Sequence, residues 1–493
     1  MARAAQGGRA VKALLRRASV LCLFCLGSLA LAASPAFERA PWFEAFKARA
    51  DDIALYRFLY AMPKGGDLHH HLSGGAFPEW YWSLALAGAE DGYRYRTKVR
   101  INDCAYGTDE FSGQPYLLYF HTISEARWAK LDACRQGEYE PLEALSPAQR
   151  QAWHDALVLD QPHEGRSEFF EAHWARMDDL LANPKLVAEL VALNLKHFAA
   201  EGVHYLEAQV PLFSLATPEG EPLPPEAGLA AIRARLREPD LAALPIAFRM
   251  QVSVLRFLPN AEAALERAYA LAARERDIVA VNFVGREDND KGYPLRFLAP
   301  LRDLRRRYGA LPLSIHAGEV DEPNQHVRDT LLLGAQRIGH GVNLIHDPGT
   351  LLAMRHGPYL VEINLISNLL LNYVDRFEDH PFPEYLRFGI PVALSTDDRG
   401  MWDSTLTDEF FVAVKHFDLS FEELTALSRA SLTHSFLPEA EKAAVLATFD
   451  ADLRAFVDRF QQGGLGAAAP EARPPYRGFI CRRYHLCPPE SAP

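Results

Sequence analysis

Two histidines one residue apart, His69 and His71, close the short apolar approach "MPKGGDLHHHLSGG" (62–75). In a strand, residues two apart share a face, so these imidazoles can hold one ion while His70 points the other way. Farther along, "LPLSIHAGE" (311–319) ends in His316 and Glu319, "QRIGHGV" (336–342) sets His340 between two glycines, and "IPVALSTDD" (390–398) closes on Asp397 and Asp398. His69, His71, His316 and Asp397 make a donor set of three imidazoles and one carboxylate, which suits Zn²⁺ with space left for a water. Such an ion lowers the pKa of its water toward ~7. Mn²⁺, Co²⁺ and Fe²⁺ stay open. Glu319 lies past the strand end, beside the metal rather than on it, where a carboxyl can shuttle protons. His340 can orient or deprotonate the water, and Asp398 can hydrogen-bond substrate. Each has a plainer alternative when taken alone: a helix N-terminal acid for Glu319, a turn histidine for His340, a helix N-cap for Asp398.

These motifs need elements that bring them to one place. Eight short runs rich in apolar and β-branched residues alternate with longer amphipathic stretches. The runs are 66–71, 203–210, 246–256, 278–285, 311–319, 336–342, 359–367 and 390–398. Near-continuous apolar strands alternating with helices imply a parallel sheet covered by helices, and eight of them suggest a closed (β/α)₈ TIM barrel. The histidines and acids then fall at strand C-terminal ends, the face on which barrel enzymes build their sites. Helical spacing over 33–62 predicts an N-terminal helical segment. The barrel is expected from 63–85 and 166–462, with closing helices over 403–460. Residues 86–165 read as an inserted subdomain after the first strand, because a structureless loop of that length is uncommon in a compact domain. Residues 463–493 read as a Pro/Ala/Gly-rich tail with a cysteine pair.

The chain has 493 residues, 49% apolar and 24% charged, the composition of a globular protein. Its first 32 residues differ. Five basic residues and no acid precede "ASVLCLFCLGSLALA", and Ala30-Leu31-Ala32 reads as a cleavage site: the pattern of a signal peptide. Export to a periplasmic or secreted location follows as an expectation, with no membrane anchor in the mature form. Cleavage would shift the formal charge from −12 to −17. That balance argues against nucleic-acid binding, which needs clustered Lys and Arg. Cys104, Cys134, Cys481 and Cys487 would remain. An even count in an exported chain suggests disulfides. Three pairings are possible, of which the local one, Cys104–Cys134 with Cys481–Cys487, is preferred.

Taken together, "MPKGGDLHHHLSG … HAGE … RIGHG … STDD" resembles the adenosine deaminase family of metal-dependent amidohydrolases, from about residue 62 to 400 and through connecting helices to about 460. The leader, the long insertion and the cysteines are similar to the secreted, growth-factor-related branch, whose members are often dimers, so a homodimer is compatible with the resemblance. The resemblance implies one Zn²⁺ per subunit on His69, His71, His316 and Asp397. It implies hydroxide addition at purine C6 while Glu319 protonates N1, water activation by His340, an Asp398 contact to N7 and a Gly285 backbone contact to N3. The implied reaction converts adenosine or a related adenine nucleoside to the inosine-type product and ammonia. This is a different design from His/Cys/Cys zinc deaminases. Two positions depart from the family pattern. Ser73 stands where an Asp commonly meets the ribose, and Arg399 stands where Pro often follows the paired acids. Substrate-sugar and entrance contacts are therefore expected to differ. The insertion is a candidate source of sugar contacts, and Phe77, Trp80 and Trp82 are candidates either for the pocket wall or for core. Two other functions compete: an amidohydrolase cleaving another C–N or ester bond, and a binding or signalling protein that has lost catalysis.

Overall fold

The computed structural model describes residues 39–102, 104, 118–161, 163–287, 292–470 and 474–487. The expected signal peptide, 1–32, lies outside them. No helix among the described residues is long and apolar enough to cross a membrane.

Eight strands form one parallel sheet in sequence order: β1 (Lys64–His71), β5 (Val203–Gln209), β6 (Ala247–Leu255), β7 (Ile278–Val284), β8 (Leu313–Ala317), β9 (Arg337–His340), β10 (Leu360–Ile363) and β11 (Val392–Leu394). They are the eight runs expected; β1 starts two residues earlier than its run, and the others are shortened at one or both ends. β5, β8 and β9–β11 are buried along their whole length, as strands sandwiched between a barrel interior and covering helices must be. The sheet closes at its seam. Asp397 donates its N–H to the His69 carbonyl at 2.9 Å and accepts the His71 N–H at 3.2 Å. Asp67 ties the same seam from the side: its carboxylate accepts the main-chain N–H of His69 at 3.1 Å and that of Thr396 at 3.0 Å. The architecture is a (β/α)₈ barrel.

The covering helices form where apolar residues recur at helical spacing. Pro184–Ala200 starts on Asn183, whose side chain accepts the Lys185 N–H, with Pro184 at the first position, where its missing N–H costs nothing. It buries Leu186, Leu190, Val191, Leu195 and Phe198. Each such side chain contributes about 1.5–3 kcal/mol relative to exposure. The predicted N-terminal helical segment is two helices, Pro41–Lys47 and Asp52–Ala61, the second capped by Asp51. Phe43 and Phe58 pack with Phe421, Phe456 and Phe460 of the closing helices.

In the insertion, β2 (Tyr95–Lys98) pairs antiparallel with β3 (Thr122–Ser124) and β4 (Tyr139–Pro141). Ile123, Leu131 and Tyr139 form a small core of their own, while Tyr95, Leu142 and Trp153 join the main one. Both expected disulfides, Cys104–Cys134 and Cys481–Cys487, are present. The tail is more ordered than its composition suggests. The helix Glu439–Ala468 runs past a break at Gly463–Gly464, and a further helix, Gly478–Tyr484, follows. Arg477 anchors this end through Asp403 at 2.6 Å and Glu79 at 2.7 Å.

Candidate active site

β1 carries His69 and His71 on one side. The Nε2 of His71 lies 3.1 Å from that of His316 and 3.2 Å from Asp397 Oδ1. His69 Nε2 is 3.3 Å from the same oxygen and is buried with no hydrogen-bond partner. Two imidazole nitrogens face to face and a third orphaned beside a carboxylate are what a shared cation would satisfy. The donors fit Zn²⁺. His69, His316, His340 and Asp397 present atoms within 4.8 Å of one another, and His71, Asp397 and Asp398 form an overlapping group. His71 joins the two groups, since its Nε2 lies against both His316 and Asp397.

The ligands are held from behind. His69 Nδ1 meets Glu362 at 2.8 Å, and Glu362 also pairs with buried Arg337 at 2.7 Å. His316 Nδ1 meets Asn282 Oδ1 at 3.0 Å. Such contacts fix which nitrogen faces the metal. Asp397 has φ +53° and His340 φ +64°, a region that residues with side chains seldom occupy. Both sit just where a strand ends and the chain must turn sharply into the site. His70 points the opposite way, as expected, with Nδ1 3.1 Å from Thr396 Oγ1 and its ring edge-on to Phe198.

Glu319 is 4% exposed, and its Oε1 lies 3.7 Å from His340 Nε2. Burial, then the charges of Asp397 and Glu287, raise its pKa well above the usual carboxyl range. Asp398 is raised too, by burial and then by Asp397 and Glu319, and its Oδ1 has no partner. Gly74 is required beside it: a Cβ there would lie 1.8 Å from that oxygen. Gly285, at φ +97°, ends β7 with room only for a hydrogen, since a Cβ would meet the Phe257 ring at 2.5 Å.

A cavity of about 310 Å³ brings His71, His316, Glu319, His340, Asp397, Asp398 and Gly285 together. Its aromatic wall is Phe169, Phe170, Trp174 and Phe257. Phe77, Trp80 and Trp82 are core instead, at 0%, 8% and 7% exposure; Phe77 lies beneath the Arg477 guanidinium at 3.7 Å. Ser73 does not line the cavity. It is 7% exposed, and its carbonyl accepts the Tyr81 hydroxyl at 2.8 Å. Arg399 does not reach the entrance either; it is fully buried on Glu201, Asn194 and the Phe198 ring. None of the insertion's described residues lines the wall, to which the segment just after it, 169–178, contributes Phe169, Phe170 and Trp174.

Sequence reasoning missed several supporting residues. Glu287 accepts the main-chain N–H groups of Gly318 and Glu319, each at 3.0 Å. Asn368 offers its Nδ2 to His340 Nδ1 at 3.0 Å, while its Oδ1 accepts from His380 Nε2 at 3.0 Å. His380 can donate there because its Nδ1 takes the Phe382 N–H. These residues lie in loops and short helices with no period to betray them.

A parallel eight-stranded barrel with three imidazoles and a carboxylate at its strand ends defines a metal-dependent amidohydrolase. The adenosine deaminase family profile matches residues 147–452. The chain belongs to the adenosine deaminase family. It is similar to an adenosine deaminase of Enterococcus faecalis, 32% identical over 181 residues, covering 36% of this chain and 52% of that one. A second, from Erwinia tasmaniensis, is 30% identical over 257 residues, 52% of this chain and 74% of that one. The chain thus spans about half the length of the first and three quarters of the second. Among solved structures, a Burkholderia ambifaria amidohydrolase with bound Zn shares the fold at TM-score 0.59 and 17% identity, covering 87% of this chain and 98% of that one.

Proposed function

We propose that the protein is a zinc-dependent aminohydrolase that converts adenosine or a related adenine nucleoside, with water, to the inosine-type product and ammonia. The observation that carries this reading is a pair of buried carboxyls, Glu319 and Asp398, lining one cavity with the candidate metal donors and Gly285. Purine N1 and N7 are hydrogen-bond acceptors, so a site that reads adenine needs donors at both. A protonated Glu319 donates to N1 and makes C6 more electrophilic. A protonated Asp398 donates to N7. The Gly285 N–H suits N3, where only glycine leaves the backbone accessible. His69, His71, His316 and Asp397 would hold Zn²⁺, which would lower the pKa of a water there toward ~7. His340, whose Nδ1 accepts from Asn368, turns its Nε2–H toward the site and orients that water.

The test is turnover of adenosine, 2′-deoxyadenosine and adenine, followed by the ultraviolet change on deamination and by ammonia release. Glu319→Ala is expected to keep its metal and to lose several orders of magnitude in rate, since proton transfer to the ring is gone. Hydrolysis of an amide or lactone with no adenine turnover sinks the reading. So does equal activity of the native and Glu319→Ala proteins.

Export is part of the proposal. Two disulfides support an oxidising compartment. N-terminal sequencing of the protein from its native host should begin at residue 33; an intact leader rejects export by cleavage.

A further inference from the structure

Every polar side chain that lines the cavity has a role in the reaction except Asp178. His71, His316 and Asp397 belong to the ligand set, and Glu319, His340 and Asp398 act on the purine or the water. Asp178 follows the aromatic segment 169–177 and is adjacent to Asp179. The two acids differ in what they do. Asp179 is bound into the insertion, accepting the Ser124 N–H and pairing with Arg127, both at 2.8 Å. Asp178 makes no hydrogen bond or ion pair with any described residue. It is exposed to solvent and lines the cavity. Burial and the Asp179 charge raise it to about 6, so it is mostly ionised at neutral pH.

Its position follows from its neighbours. The Tyr81 hydroxyl, which donates to Ser73, is pushed up first by burial and then by the charges of Asp178 and Asp398. Trp174, one turn before Asp178 and lining the same cavity, packs 6.2 Å from His71, and Gly74, three residues past His71, lies against Asp398, so Asp178 stands on the β1 and Asp398 side of the cavity. In a purine, N9 lies between the N3 and N7 edges and away from N1. With N1 at Glu319, N7 at Asp398 and N3 at Gly285, whatever N9 carries must leave between Asp398 and Gly285. Among the described residues, the one uncommitted carboxylate lining the cavity is on that side.

We infer that Asp178 is the sugar-recognising residue: its carboxylate accepts hydrogen bonds from hydroxyl groups of the substrate's ribose, replacing the acid that the sequence lacks at Ser73. The substrate class is a nucleoside with free sugar hydroxyls. An anionic phosphate on the same sugar would meet the repulsion of Asp178. The inference rests on the deaminase reading above.

The test pairs Asp178→Asn and Asp178→Ala with adenosine, its 2′-, 3′- and 5′-deoxy analogues and free adenine. Asparagine keeps the shape and loses the charge, so it guards against a folding defect, and metal content and melting temperature are measured alongside. Native protein is expected to lose about 10- to 100-fold in kcat/KM for the analogue missing the bonded hydroxyl, the range of a hydrogen bond to a charged group. Asp178→Asn is expected to lose a similar factor on adenosine, chiefly through KM, to leave free adenine unchanged, and to stop distinguishing adenosine from that analogue. Equal losses on adenosine and adenine, or adenosine kinetics within twofold of native, overturn the assignment while leaving the deaminase reading intact. Native protein that turns over none of these compounds overturns both.

Discussion

The Glu287 carboxylate accepts the main-chain N–H of Glu319 at 3.0 Å, so one acid sets the place of another through the backbone. Its other oxygen takes the Gly318 N–H at 3.0 Å and meets His326 Nδ1 at 2.8 Å. Gly318 has φ +77°, so the turn that launches Glu319 is a tight one held by a single buried side chain. Glu287→Gln puts an amide N–H among these donors and loosens the turn. We expect kcat to fall about 10- to 100-fold with metal content unchanged, as measured by steady-state kinetics with metal analysis. Unchanged kcat would show that Glu319 does not depend on this grip.

Glu287 also predicts a pH dependence of stability. Burial alone would raise it, but the His326 contact and the Arg256 charge overcome that and hold it at about 2, against an ordinary 4.5. A depressed acid contributes stability that is fully present above its unfolded pKa and is lost as pH falls through its folded one. The shift corresponds to about 3 kcal/mol, shared with His326. The stability difference between native protein and Glu287→Gln should hold steady above about pH 5 and close between about 4.5 and 2. Urea unfolding across that range checks it; a difference independent of pH rejects it.

The three consecutive histidines should behave unequally. His71→Ala removes a nitrogen that faces both His316 and Asp397, so bound metal should fall well below one equivalent after dialysis. His70→Ala removes a ring that packs on Phe198 and meets Thr396, so metal should be retained while the melting temperature drops. Metal loss in both variants, or in neither, would contradict the division of faces along β1.

Gly74→Ala tests the second acid without touching it. The added methyl would sit 1.8 Å from Asp398 Oδ1, so the carboxyl must move. We expect kcat/KM on adenosine to fall by about 100-fold or more while metal binding persists, because no ligand is displaced. Near-native kinetics would mean that Asp398 need not stand where it does.

Much of this was legible in the sequence, and the reasons are physical. All eight barrel strands showed as apolar runs because both of their faces are covered. The candidate ligands stood out because a His-x-His at a strand end has one shared face. Glu287, Asn368 and His380 did not show, since each acts through one hydrogen bond from an irregular segment. Ser73 is a different case. A residue two places past His71 suggests a view of the substrate, yet its carbonyl is taken by Tyr81 and the chain turns under Asp398. Asp178 escaped because it lies 107 positions past His71, and only the fold makes them line one cavity.

The barrel seam has a consequence for when the site can exist. Asp397 closes the sheet with its own backbone, bonding His69 on one side and His71 on the other. The residues that would grip the ion are thus the residues that join the first strand to the last. A growing or refolding chain has no ligand set until its eighth strand arrives, and an ion loaded there becomes a clasp between distant parts of the polypeptide. Metal uptake then marks completion of the barrel, and pulling the ion out should let the molecule begin to open along that one line.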